Sequence, residues 1–169
     1  MERNIEEDLP IWEEISSYLE TTKLKQGSRF SLDQFKKERG NLDDYLKDRG
    51  YYNFNPNFVI FEADTNAYDQ KQFDLYVKLK DETPKKSLYA FEIQNLNVYP
   101  KSDLRSKEKE KDTVTIDDIH FIQNEVFFKP ERLRPFLRIE PNDLYSPRNS
   151  RFTSRRLNST QTYRFVFVN

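Results

Sequence analysis

Residues 27–79 read GSRFSLDQFKKERGNLDDYLKDRGYYNFNPNFVIFEADTNAYDQKQFDLYVKL, a helix-like stretch followed by two strand-like runs. Ser31 stands where a helix N-cap belongs, and Leu32, Phe35, Leu42, Tyr45 and Leu46 recur at helical spacing with charge between them. Gly50 follows the last periodic residue and the cations Lys47 and Arg49, the order of a helix C-terminus that stops on a left-handed residue. Beyond it Phe58, Ile60 and Glu62 alternate with Val59, Phe61 and Ala63, then Phe73, Leu75, Val77 and Leu79 alternate with Asp74, Tyr76, Lys78 and Lys80. The segment DTNAYDQKQ between the runs is too short for a parallel crossover, so the spacing predicts an antiparallel hairpin. One apolar helix stripe and one half-buried hairpin are economically buried against each other, which predicts helices over a sheet.

Composition bounds the rest. The 169 residues, 36% hydrophobic and 15% aromatic, fit two small domains better than a large enzyme. Charged residues make up 34% and sum to −1, so the whole chain has no global field to recruit nucleic acid or an anionic membrane. The charge is unevenly placed, however. Residues 1–20 hold the acids Glu2, Glu6, Glu7, Asp8, Glu13, Glu14 and Glu20 against Arg3, whereas residues 129–169 hold nine bases against Glu131, Glu140 and Asp143. With no cysteine, a disulfide framework, a cysteine zinc site and a thiol nucleophile are excluded. No run approaches the roughly 20 apolar residues of a membrane helix, and charge rather than an apolar stretch follows Met1. If the natural protein is exported, the sequence is expected to be an interior piece of it.

Taken in order, a first helix is predicted from Asp8 as N-cap, with Pro10 in its first turn and Ile11, Trp12, Ile15, Tyr18 and Leu19 on one face, stopping near Gly27. Helix, helix, strand, strand lacks only an initial strand, which is reduced to Asn4 and Ile5. The proline and charges of residues 81–87 mark a domain boundary, dividing the chain into 1–84 and 85–169. Residues 88–99 read as a strand ending at Pro100, 101–112 as a charged loop, and 113–121 as another strand, the return arm of a long hairpin. Lys129-Pro130 leads into a helix with Leu133, Phe136 and Leu137, residues 140–143 turn, and Ser146-Pro147 opens a further helix before a last strand at 163–168. The second half thus reads β-α-α-β. Ser31 and Ser146, and Leu42 and Leu157, share the same offset, as two copies of one unit would.

The ordered set GSRF at 27–30, Glu38-Arg39, Leu46, Arg49-Gly50-Tyr51-Tyr52-Asn53-Phe54, Phe61-Glu62-Ala63-Asp64 and QFDLYVKLK at 72–80 resembles the POTRA repeat of the BamA/TamA family of outer-membrane protein assembly factors. It is most similar to TamA-like members of Bacteroidetes type. In the second half the likeness rests on Val98-Tyr99-Pro100, the stretch from Lys129-Pro130 through Leu137, Asp143-Leu144-Tyr145-Ser146, Thr153 and Arg156-Leu157-Asn158. The resemblance implies an α+β fold of two tandem β-α-α-β-β units, each a three-stranded mixed sheet with two helices on one face, truncated at the two ends. It implies a periplasmic module, attached to the outer membrane through a parent protein whose β-barrel is absent here. That module binds unfolded outer-membrane polypeptides or docks assembly factors, without catalysis or cofactor. The 101–125 insertion and the missing end strands depart from the pattern.

The physical route is β-augmentation, in which an extended client pairs with unpaired backbone groups of an edge strand. The resemblance maps that edge to Asn57, Phe58, Val59, Ile60, Phe61 and Glu62, with Val59 and Phe61 turned to the client. Rival readings are a metal-dependent nuclease-like domain and a nucleic-acid-binding sheet. The first would use Asp74 with Glu92-Ile93-Gln94, where the nuclease lysine is glutamine. Asp117, Asp118 and His120 are separately conceivable as metal ligands, but one histidine without a second or any thiol reads as a surface imidazole. The second would stack bases on Tyr51, Tyr52, Phe54, Phe58 and Phe61, but Glu62, Asp64, Asp69 and Asp74 supply the wrong charge. Arg148, Arg151, Arg155 and Arg156 form a better basic surface, which could face anionic headgroups or a sister domain bearing acids like those of residues 1–20, and is expected to make an interdomain or partner contact.

Overall fold

The computed structural model describes residues 9–24, 26–66, 72–100, 112–123, 127–163, 166 and 168. It is an α+β protein with two small sheets among the described residues, divided into the compact units Met1–Phe91 and Glu92–Asn169. The division falls beyond Pro84 because the intervening residues are tied to the first unit. The Ser87 hydroxyl donates to the Asn53 carbonyl at 2.8 Å, and the Phe91 N–H donates to the Gly50 carbonyl at 2.8 Å.

In the first unit, helix α1 spans Pro10–Thr21 and helix α2 spans Leu32–Lys47. Helix α1 is shorter than expected. Its N-cap position is Leu9, with no side-chain cap bond, and Asp8 lies outside the described residues. It stops at Thr21 because Thr22 turns extended and its hydroxyl accepts from the Leu24 N–H at 3.2 Å, a local bond that competes with helix continuation. Helix α2 starts as expected, with the Ser31 side chain accepting from the Gln34 N–H, and Gly50 follows it at φ +93°. The two helices run antiparallel: Glu14 meets Arg49 at 3.0 Å, while Thr22 meets Glu38.

The buried stripe of α2 is Glu38, Leu42 and Leu46, and Leu32, expected in it, is 57% exposed. These residues pack with Ile11, Ile15 and Tyr18 of α1 and with Tyr51, Phe54 and Val59 in one core. Strands β1 (Val59–Asp64) and β2 (Asp74–Leu79) form the expected hairpin, Val59 opposite Leu79 and Asp64 opposite Asp74. The sheet has two strands among the described residues, and the expected remnant at Asn4 and Ile5 lies outside them.

The second unit departs from the expected β-α-α-β order. It runs through strands β3 (Leu96–Val98), β4 (Asp112–Ile116) and β5 (Ile119–Gln123), then helix α3 (Pro130–Leu133), a 3-10 turn at Arg134–Phe136 and helix α4 (Pro147–Ser159). Only residues 96–98 of the long strand expected at 88–99 pair in the sheet, because Ile93 is held elsewhere. Its N–H donates to the Asp143 carbonyl, and its own carbonyl accepts from the Asn142 N–H. The stretch expected as a single strand at 113–121 is a hairpin. Asp117 and Asp118 turn it with φ of 49° and 60°, the paired left-handed residues of a type I′ turn. Strand β3 lies parallel to β5, so 113–121 is not its return arm.

Among the described residues this sheet is three-stranded and mixed, in the order β3-β5-β4. Ile119 and Phe121 of β5 pack with Leu133, Leu137 and Leu157 in the second core, joined by Tyr163 and Val166. Tyr163 carries no strand, and most of the strand expected at 163–168 lies outside the described residues, as do 101–111 of the charged loop. Helix α4 opens as expected on Ser146, whose side chain accepts from the Asn149 N–H at 3.3 Å.

The internal likeness extends into the packing. Ser31 and Ser146 cap their helices, Glu38 and Thr153 are buried polar residues, and Leu42 and Leu157 are buried apolar ones, each pair at the same offset. Two helices of different composition therefore present matching faces to their own cores.

Candidate functional site

The site built from the most definite geometry is the outer edge of β1. The Lys80 N–H donates to the Phe58 carbonyl at 2.9 Å, and the register then pairs Ile60 with Lys78, Glu62 with Tyr76 and Asp64 with Asp74. In an antiparallel ladder hydrogen-bonded and non-hydrogen-bonded pairs alternate, so these three residues of β1 turn their backbone groups towards β2. Phe61 and Ala63 turn theirs away from it. Neither makes a further backbone hydrogen bond among the described residues, which leaves two N–H and two C=O groups on an open edge.

The six residues expected at this edge are not all strand. Asn57 and Phe58 belong to the 3-10 turn Pro56–Phe58, fixed by the Asn55 side chain accepting from the Asn57 N–H at 2.9 Å. Val59 is 0% exposed in the core, and Phe61 is half-buried, stacked on Phe35 of α2 with centroids 5.3 Å apart. Val59 and Phe61 therefore face the protein and not a client, contrary to the sequence reading. The helix face carries the alternate set that contacts the core, which leaves Ile60 and Glu62 exposed on the other.

That open face carries an ion pair between Glu62 and Lys78, whose hydrogen bond pushes the lysine pKa up. Both groups are more than half exposed, so the pair adds little stability. On the helix face, beside Phe61, sequence reasoning missed an aromatic group. Phe30 stands edge-on to Phe35 at 5.3 Å and to Phe73 at 5.9 Å. The signal was present in the apolar residues just before and within the first turn of α2.

The buried Glu38 was also missed as a polar centre. Tyr18 donates to its Oε1 at 2.5 Å, Thr22 donates to the same oxygen, and the Asn41 amide donates to Oε2 at 3.2 Å. Burial pushes the carboxyl pKa up, but the bonds from Thr22, Tyr18 and Asn41 outweigh it and hold the group below its ordinary range. Burial and the neighbouring Glu38 push the Tyr18 phenol up.

The residues of the rival readings are otherwise engaged. Asp74 opens β2 in the first unit, whereas Glu92 pairs with Leu144 in the second. Asp117 accepts from Arg134 at 2.9 Å, and His120 Nδ1 lies 3.0 Å from the Thr115 hydroxyl. Among the described residues no three metal-ligating side chains converge. Tyr51 and Phe54 are core, Phe58 and Phe61 are half-buried, and only Tyr52 of the expected stacking set is exposed.

On α4, Arg148, Arg151 and Arg155 are exposed as expected, while Arg156 is half-buried with its guanidinium 5.6 Å from the Phe136 ring. Among the described residues no helix is long and apolar enough to cross a membrane. In comparison with known proteins, no family model, no curated protein and no solved structure matches this chain.

Proposed function

We propose that this chain is a pair of POTRA-like units from the periplasmic arm of an outer-membrane protein assembly and insertion factor of the BamA/TamA type. Its work is to hold unfolded outer-membrane polypeptides, or dock accessory assembly factors, beside the parent protein's membrane barrel. It acts by binding and needs no cofactor. The observation that carries this reading is the outer edge of β1, where Phe61 and Ala63 turn backbone groups that are unpaired among the described residues outward from a strand anchored on α2. The matched cap and core positions of α2 and α4 support the tandem character.

Backbone recognition explains why such a module would accept many clients, since every peptide offers the same N–H and C=O groups. Four edge bonds at about 1 kcal/mol each, less the cost of ordering the peptide, correspond to affinities no tighter than about millimolar. Weak binding suits a module that must pass its client on.

Ala63→Pro tests this. It removes one outward N–H and leaves the β1–β2 ladder bonds at Glu62 and Asp64 in place. The expected result is a folded protein that no longer crosslinks to an extended client peptide. Unchanged crosslinking by the folded variant overturns edge pairing on β1.

A further inference from the structure

The exposed side of α4 points to a partner different in kind from an extended client. Its thirteen residues contain Arg148, Arg151, Arg155 and Arg156 and no acid. Thr153 and Leu157 face the core, so Arg148, Arg151, Phe152 and Arg155 form the outward stripe. Arg151 and Arg155 make no ion pair among the described residues. Phe152 is 43% exposed in the middle of the stripe, with the Arg148 guanidinium 5.8 Å from its ring. Arginine, with its planar fork of donors, is suited to gripping carboxylates two oxygens at a time.

Helix α1 carries the complement. Its outward stripe is Glu13, Ser16, Ser17 and Glu20, and the helix contains no base. Glu13 and Glu20 make no ion pair among the described residues. They are seven residues apart, as are Arg148 and Arg155, which places both charge pairs about 10.5 Å apart along their helices. Between the acids lie two small serines, opposite the place where the Phe152 ring would project. The wider charge distribution has the same sense, with seven acids in residues 1–20 and nine bases in residues 129–169.

We infer that the arginine face of α4 docks on the acidic face of α1 of a second copy of this chain. The contact joins two different patches, one on each unit, so every chain offers both halves of the interface. Exposed ion pairs are weak and screened, so the association is weak and falls with salt. An anionic membrane or a nucleic acid would meet the same arginines, but a chain of net charge −1 offers such a polyanion no long-range attraction, while its own acids compete for the site. The inference stands apart from client binding, since it uses neither β1 nor its edge.

Sedimentation velocity of the full chain over a concentration series tests it. At low ionic strength the sedimentation coefficient should rise with concentration, and the rise should vanish in about 1 M salt, where the screening length is about 3 Å. The exposed-site variants R151E/R155E and E13R/E20R should each fold and associate at least about tenfold more weakly. An equimolar mixture of the two variants should associate again, because each restores opposite charge to the other. A wild-type chain that stays monomeric at low salt, or variants that neither weaken association nor rescue each other, overturns the inference. Monomeric wild type that binds phosphatidylglycerol vesicles or a single-stranded oligonucleotide through Arg151 and Arg155 also overturns it, and assigns the face to that ligand.

Discussion

Tyr18 of α1 and Glu38 of α2 are joined by a 2.5 Å hydrogen bond from the phenol to a carboxylate that is 2% exposed. With Thr22 and Asn41 as further donors, the carboxylate fixes the two antiparallel helices that support β1. A buried charge is tolerated here because three donors replace its water.

The bonds hold the Glu38 pKa below its unfolded value, so the stabilisation they bring is present above about pH 4.3 and is lost as pH falls through the folded pKa. Urea denaturation of wild type should therefore show stability falling on acidification, with a shallower fall for E38Q. Equal acid slopes would contradict the assignment. E38A, which strands the Tyr18 and Thr22 hydroxyls in the interior, should cost about 1–3 kcal/mol or more at neutral pH.

Gly50 sits at φ +93°, buried, with its carbonyl held by the Phe91 N–H. A side chain in that region is strained, so Gly50→Ala should lower stability by about 1–2 kcal/mol. Thermal melts that leave the midpoint unchanged would contradict this.

The β4–β5 turn offers the opposite sign. Asp118 adopts φ 60° at the second turn position, where glycine carries no steric cost. Asp118→Gly should therefore stabilise the second unit or leave it unchanged, by about 0.5 kcal/mol, with slower amide exchange in β4 and β5. Faster exchange in those strands would argue against the type I′ turn.

Ser31 and Ser146 each satisfy a free helix N–H at the third position after the cap. Alanine at either site should cost about 1 kcal/mol, and Leu157→Ala in the second core about 2–5 kcal/mol. Amide exchange should place the S146A and L157A effects in residues 92–169 and the S31A effect in the first unit. Effects spread evenly over the chain would contradict two separate cores.

The features legible in the sequence were those set by neighbours along the chain. The serine caps, the left-handed Gly50 and the alternation of β1 and β2 follow from local rules, and the structure carries them where expected. Contacts between distant segments were not legible. The alternation around Val59 offers apolar residues on both faces, so only the packing of Phe35 on Phe61 decides which one is inward. Residues 88–99 have strand-like composition, yet Ile93 is captured by the turn at Asn142 and Asp143. Asp117-Asp118 lacks the glycine that usually marks a tight hairpin, and Glu38 looks like any surface glutamate until Tyr18 is brought beside it.

Client pairing at the outer edge of β1 is tested by an NMR titration of isotope-labelled chain with an extended peptide copied from an outer-membrane β-strand. Edge pairing should give amide shift changes concentrated on residues 59–64 at millimolar peptide, and their loss in the folded Ala63→Pro variant. No change at β1, or changes that persist undiminished in Ala63→Pro, would contradict edge-strand pairing as the way this protein holds its client.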